Sequence, residues 1–129
     1  MAAINDVVFD CRHGASLARF WAAALDDYEV APYDDEELAR LAAMGITDTE
    51  DDLNALVQGP PGSVKLWFQT VPEPKRAKNR VHLDLACGNF DAEHDRLVSL
   101  GARDADDQST DSLLVMLDPE DNEFCLLRS

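Results

Sequence analysis

Three histidines, three cysteines and a handful of spaced carboxylates are the side chains in this chain with chemistry to offer. His82 and Asp84 stand two apart in Val81-His82-Leu83-Asp84-Leu85, so an extended backbone puts imidazole and carboxylate on one face. Such a pair can act as acid or base, and it can equally close a polar network. Asp6 opens a second alternating segment, Asp6-Val7-Val8-Phe9-Asp10-Cys11, with Val7, Phe9 and Cys11 on one face and Asp6, Val8 and Asp10 on the other. His13 reads as an exposed turn residue, and His94 falls mid-helix on a solvent side or edge. Cys11 and Cys87 read as small core residues. The three thiols form no CxxC pattern, which fits free cysteines in a reducing compartment. No Gly-x-Ser-x-Gly, phosphate loop, dinucleotide fingerprint or zinc-protease helix is present.

The elements that must position these groups fit one domain of 129 residues with an ordinary apolar content of 46%. The charge is unusual. Eleven Lys and Arg against 26 Asp and Glu give a net charge of −15, which disfavours nucleic acid and anionic membrane surfaces as partners. No apolar run approaches the roughly 20 residues of a membrane span, and the first residues lack a signal-peptide layout. A cytoplasmic location is expected.

Along the chain, Asp6–Cys11 predicts a strand, and a helix follows from the Gly14-Ala15 bend or Ser16, with Leu17, Phe20, Trp21, Ala24 and Leu25 at core spacing. A short strand at residues 28–31 precedes a helix over residues 36–44, capped by Asp34-Asp35, with Leu38, Leu41 and Ala42 inward. The acidic run 47–52 reads as a solvated loop. Strands are expected at residues 53–57 and 64–69, around the turn Gly59-Pro60-Pro61-Gly62. Residues 72–80 form a basic connector. Beyond it come a strand at 81–87, a helix from Phe90 to Leu100 between Asn89 and Gly101, and strands at 102–105, 113–117 and 123–128. Trp21 and Trp67 are both assigned to the layer between sheet and helix. Lys75, Arg76, Lys78 and Arg80 form the one basic patch, read as a solvated connector or as a contact for an anionic ligand or another subunit.

The order of elements repeats. Laying Asp6 on His82 puts Phe9 on Leu85 and Cys11 on Cys87, and laying Leu66 on Cys125 matches the two last strands. The fold class is therefore α+β, a single domain over residues 1–129. Module one covers residues 1–71 with a helical insert near 34–52, the connector 72–80, and module two 81–129. Another α+β sandwich, such as a ferredoxin-like duplication, is the runner-up.

Val7-Val8-Phe9-Asp10-Cys11 with Leu17-Ala18-Arg19-Phe20-Trp21 resembles the first unit of glyoxalase-like proteins in the vicinal-oxygen-chelate superfamily, which includes bleomycin-resistance proteins and extradiol dioxygenases. Lys78-Asn79-Arg80-Val81-His82-Leu83-Asp84-Leu85 and Asp118-Pro119-Glu120-Asp121-Asn122-Glu123-Phe124 carry the same likeness, which covers nearly everything except about residues 33–52. The resemblance implies two βαβββ modules forming a cupped mixed sheet, with a ligand site on the concave face and frequent pairing into homodimers. Metal enzymes of that superfamily place ligands on the first and last strands of each module. Those positions hold Asp6, Leu66, His82 and Cys125 here, and Leu66 can coordinate nothing. Asp6, His82 and Cys125 remain weak metal candidates, and no cofactor is expected. Alternation assigns Asp6, Val8, Asp10, Leu66, Phe68, His82, Asp84, Ala86, Cys125 and Leu127 to the cup. The expected function is metal-independent binding of a small organic molecule, for sequestration or sensing. The alternatives are a metal-dependent lyase, isomerase or dioxygenase, and a structural, partner-binding module.

Overall fold

The computed structural model describes residues 1–105 and 109–128. The chain divides into two units, residues 1–74 and the part from Lys75 onward. The first contains β1 (Asp6–Cys11), α1 (Gly14–Ala24), β2 (Glu29–Val30), α2 (Asp35–Ala43), a 3₁₀ turn at Thr49–Asp51, β3 (Asn54–Gln58) and β4 (Lys65–Thr70). The second contains β5 (Asp84–Leu85), α3 (Phe90–Leu100), β6 (Arg103–Asp104), β7 (Leu113–Leu117) and β8 (Glu123–Leu127). The sheets run β1-β4-β3-β2 and β5-β8-β7-β6. In each, the last strand lies parallel to the first and antiparallel to its predecessor. The architecture is α+β, a βαβββ unit written twice.

The core of the first unit explains its register. Phe9 pairs with Phe68 across β1 and β4, and the two rings stack with centroids 4.9 Å apart. Trp21 of α1 approaches Phe9 at 5.7 Å and meets Phe20 edge-on at 5.3 Å. Leu66, Ala55 and Val57 share that covered face. Helix and sheet come close enough that a Cβ on Gly14 would lie 2.5 Å from the Phe68 carbonyl oxygen, so only glycine fits there.

This packing corrects two assignments. Leu66 and Phe68 were expected in the cup with Asp6; they face α1 instead, with Phe68 fully buried. Trp67, expected in the core, falls on the opposite face beside Val8. The cause is a slip of one residue in the superposed repeat, which inverts every side chain of a strand. Trp67, not Leu66, is the counterpart of Cys125: Val8 pairs with Trp67 as Asp84 pairs with Cys125. The thiols agree, since Cys11 donates to the Gln69 carbonyl at 3.5 Å and Cys87 to the Leu127 carbonyl at 3.6 Å.

Local signals set most boundaries. Asn89 caps α3 by accepting from the Ala92 N–H at 3.0 Å, and Gly101 closes it at φ +120°. Asp34 caps α2 in the same way, accepting from the Glu37 N–H at 2.8 Å. In α2 only Leu41 is buried. Leu38, expected inward, is 44% exposed, and Ala42 is exposed too. The strand expected over 81–87 is ladder-paired at Asp84 and Leu85 alone, although the Leu83 carbonyl also accepts from the Cys125 N–H at 2.9 Å. No helix among the described residues is long and apolar enough to cross a membrane.

Two tertiary ties involve groups with little local signal. His94 on α3 bridges Asp104 of β6 at 2.8 Å and Asp95 at 3.1 Å, and hydrogen bonds to Asp104 and then to Asp95 raise its pKa above the usual 6.5. Glu123 accepts from the Asn79 N–H at 3.0 Å and from Lys75 Nζ at 3.1 Å. Asn79 also donates to the Asn122 side chain at 3.2 Å, and Asn122 in turn bonds the buried Asp118.

Replacing Phe68 with Ala leaves a hole in the aromatic stack and is expected to lower stability by about 3 to 5 kcal/mol, measured by urea unfolding. The clamp at His94 stabilises when its imidazole is protonated. With the folded pKa raised, its contribution is complete below the unfolded value near 6.5 and is lost as pH rises through the folded value. NMR titration is expected to find the His94 midpoint above 6.5 in the native protein and lower in Asp104→Asn.

Candidate functional site

Two clusters occupy the sheet faces turned away from α1 and from α3, one in each unit. In the second unit, β5 and β8 bring His82, Asp84 and Cys125 together, with donor atoms all within 4.8 Å of one another. Parity places them there: Leu83 and Leu85 alternate with His82 and Asp84, and Asp84 sits directly beside Cys125 in the ladder. His82 Nε2 lies 3.2 Å from Asp84 Oδ1, and both side chains remain about half exposed. Cys125 is buried. Burial pushes its thiol pKa up, and the neighbouring Asp84 adds to the rise, against a smaller opposing pull from Lys78. The thiol is thus held protonated as a weak donor rather than as a nucleophilic thiolate. Leu127 continues this face at the end of β8, beside Leu113.

On β1, Asp6 starts the strand half-buried and accepts from Asn5 Nδ2 at 2.9 Å, while Val8 and Asp10 are exposed. Val8, expected on this face, is joined there by Trp67 and Leu56, which were not expected on it. Val8, Trp67 and Leu56 line up across β1, β4 and β3 as ladder partners. Trp67 and Leu56 form one wall of a pocket of about 190 Å³. Ala31 and Pro32 contribute from the segment after β2, and Tyr33, Asp34, Glu37, Asp52 and Asn54 complete it.

The insert over residues 34–52 folds to make this pocket. Asp52, expected in a solvated loop, is 5% exposed. Its two oxygens accept from the Tyr33 hydroxyl at 2.7 Å and the Asn54 N–H at 3.1 Å, so the buried carboxylate is satisfied. Burial first, and then the bond to Asp52, raise the Tyr33 pKa, so the phenol stays a neutral donor. Glu50 forms a two-pronged pair with Arg19 of α1 at 2.5 and 2.9 Å, which ties the acidic run to the core helix. The signal that could have found Asp52 is Tyr33, but nothing local links residues 19 apart.

In the basic connector, Arg76, Lys78 and Arg80 are exposed. Lys75 is engaged within its own unit by Glu123, so it helps to seat the connector.

The family model described as Glyoxalase-like domain matches residues 6–127. No curated protein matches the chain significantly. Among solved structures, the fosfomycin resistance protein FosX from Mesorhizobium loti is similar, with 14% identity and a TM-score of 0.62, over 100% of this chain and 93% of that one. A glyoxalase/bleomycin resistance protein/dioxygenase family enzyme from Burkholderia phytofirmans has 13% identity and a TM-score of 0.64, over 97% of each chain. A possible glyoxalase from Bacillus cereus has 9% identity and a TM-score of 0.64, over 98% of this chain and 99% of that one. At these identities the likeness is one of fold.

The raised thiol pKa predicts that Cys125 is alkylated slowly by iodoacetamide at neutral pH, with the rate climbing only in alkaline buffer. Asp84→Asn removes a negative neighbour and is expected to shift that rise to lower pH, read by mass spectrometry of the labelled peptide. Equal rates in the two proteins would contradict the coupling.

Proposed function

The chain belongs to the glyoxalase-like domain family, and on that premise we propose that it binds a small organic molecule without a metal, for sequestration or sensing. The observation that supports this most is the pair Val8 and Trp67. They occupy, in the first unit, the positions that Asp84 and Cys125 hold in the second. A hydrocarbon and an indole there offer contact area and no ligand atom. Pockets for small molecules have this character, apolar walls with a few placed polar groups.

A second reading, a metal-dependent lyase, isomerase or dioxygenase, is favoured by His82, Asp84 and Cys125. One imidazole, one carboxylate and one thiol within 4.8 Å suit a borderline-soft ion such as zinc better than an octahedral, oxygen-rich centre. The donor set therefore fits the family's expected metal chemistry poorly. The working form in this proposal is a cytoplasmic homodimer; with a net charge of −15, nucleic acid and anionic membrane are not its partners.

Thermal melting in Mn²⁺, Ni²⁺ and Zn²⁺ distinguishes the readings. A site filled to a thousand times its Kd adds about 4 kcal/mol of stability, a rise of many degrees. The expected result is little change in Tm with millimolar metal, together with a small organic molecule retained in native mass spectra. A large rise in Tm that Cys125→Ser abolishes would overturn the proposal in favour of the metal reading.

A further inference from the structure

We propose that the pocket between the insert and β4 takes a small organic cation, a substituted ammonium group seated on the Trp67 indole. This rests on the small-molecule reading above and names the chemical class of ligand.

Three independent features point the same way. The first is the cavity, about 190 Å³ and open on one side. A cavity of about 150 Å³ accommodates a single benzene ring, so this one suits a ligand of that order. The second is its wall. Trp67 is only half-buried, and it sits in the apolar row with Leu56, so indole surface is available to a ligand. Indole is the best of the side-chain faces for a cation, and substituted ammonium ions are the ligands such walls recognise. The third is the sign of the polar lining. Asp34, Glu37 and Asp52 all border the pocket and no lining residue is basic.

The nearest positive group on this element, Arg40, pairs with Glu37 at 2.8 Å through Nε and also feels Asp52, so three lining carboxylates stand against one neighbouring cation. Asp34 uses one oxygen for the α2 cap. Tyr33 remains a neutral phenol, held in place by its bond to Asp52. An anionic ligand would meet three carboxylates, with Arg40 beside them already engaged by Glu37. A neutral one would use the wall and leave the charge idle. The charged residues come from the insert, and the indole comes from the sheet.

The test titrates the ¹⁵N-labelled protein with choline, with its uncharged carbon isostere 3,3-dimethyl-1-butanol, and with 3,3-dimethylbutyrate, following the Trp67 indole N–H by NMR. Choline is expected to shift that signal and bind at least tenfold more tightly than the alcohol, with the anion weakest. Asp34→Asn keeps a capping side chain and Glu37→Gln changes a partly exposed position, so both are expected to fold, as checked by their melting curves. Together they should weaken choline about tenfold and leave the alcohol unchanged. Equal binding of alcohol and choline, or no effect of the double variant, would overturn the cation assignment while small-molecule binding stands. No shift of Trp67 with any of the three probes would also overturn it. Small-molecule binding itself would fail separately, through the absence of any retained molecule in native mass spectra.

Discussion

The parallel pairing of first and last strands within each unit is the constraint on which the rest depends. In the first unit Phe9 lies beside Phe68, and the stack is covered by Trp21. In the second, Leu85 lies beside Leu126, which is wholly buried. Burial of those partners fixes the register, because a shift by one residue would turn the apolar set toward water. Once the register is fixed, the opposite face has no freedom left. Trp67 must stand beside Val8, and Cys125 beside Asp84. The composition of both candidate sites is thus decided by packing on the far side of the sheet.

What was legible in the sequence follows from where the information resides. The helix from Phe90 to Leu100 could be read to the residue, because Asn89 and Gly101 mark its ends locally. The His82, Asp84 and Cys125 face was legible because apolar and polar residues alternate on both sides of His82. The last strand of the first unit was not. Leu66-Trp67-Phe68 are all apolar, so alternation gives no parity, and the match to the second unit was one residue out. Asp52 was also hidden. Its partner Tyr33 lies across a helix and a turn, and an acidic run looks solvated until its partner is known.

The stretches that carry the family likeness have a structural role. Asn79 of one bonds Asn122 and Glu123 of the other, and Asp118 anchors that turn by accepting from the Glu120 and Asn122 N–H groups at 2.8 and 3.0 Å. Asp121 takes a left-handed φ of 69° to complete it. These residues seat the connector on β8. Asn79, Asp118 and Asn122 thus hold the architecture, while His82 and Asp84 of the same stretches face the candidate cluster.

Helix α2 is attached to its unit by one fully buried side chain, Leu41, and by a cap that several residues could supply. Its remaining positions face outward or toward the pocket, where substitutions change stability by only about half a kcal/mol. The charges that α2 and its cap lend the pocket can therefore be changed by point mutation at little cost to folding, unlike Asp52, which is buried and bonded to Tyr33 and Asn54. Trp67 is placed differently, because Leu66 and Phe68 on either side of it are buried in the core and fix the position of its strand. The insert thus carries exchangeable charge, and the sheet supplies a fixed frame.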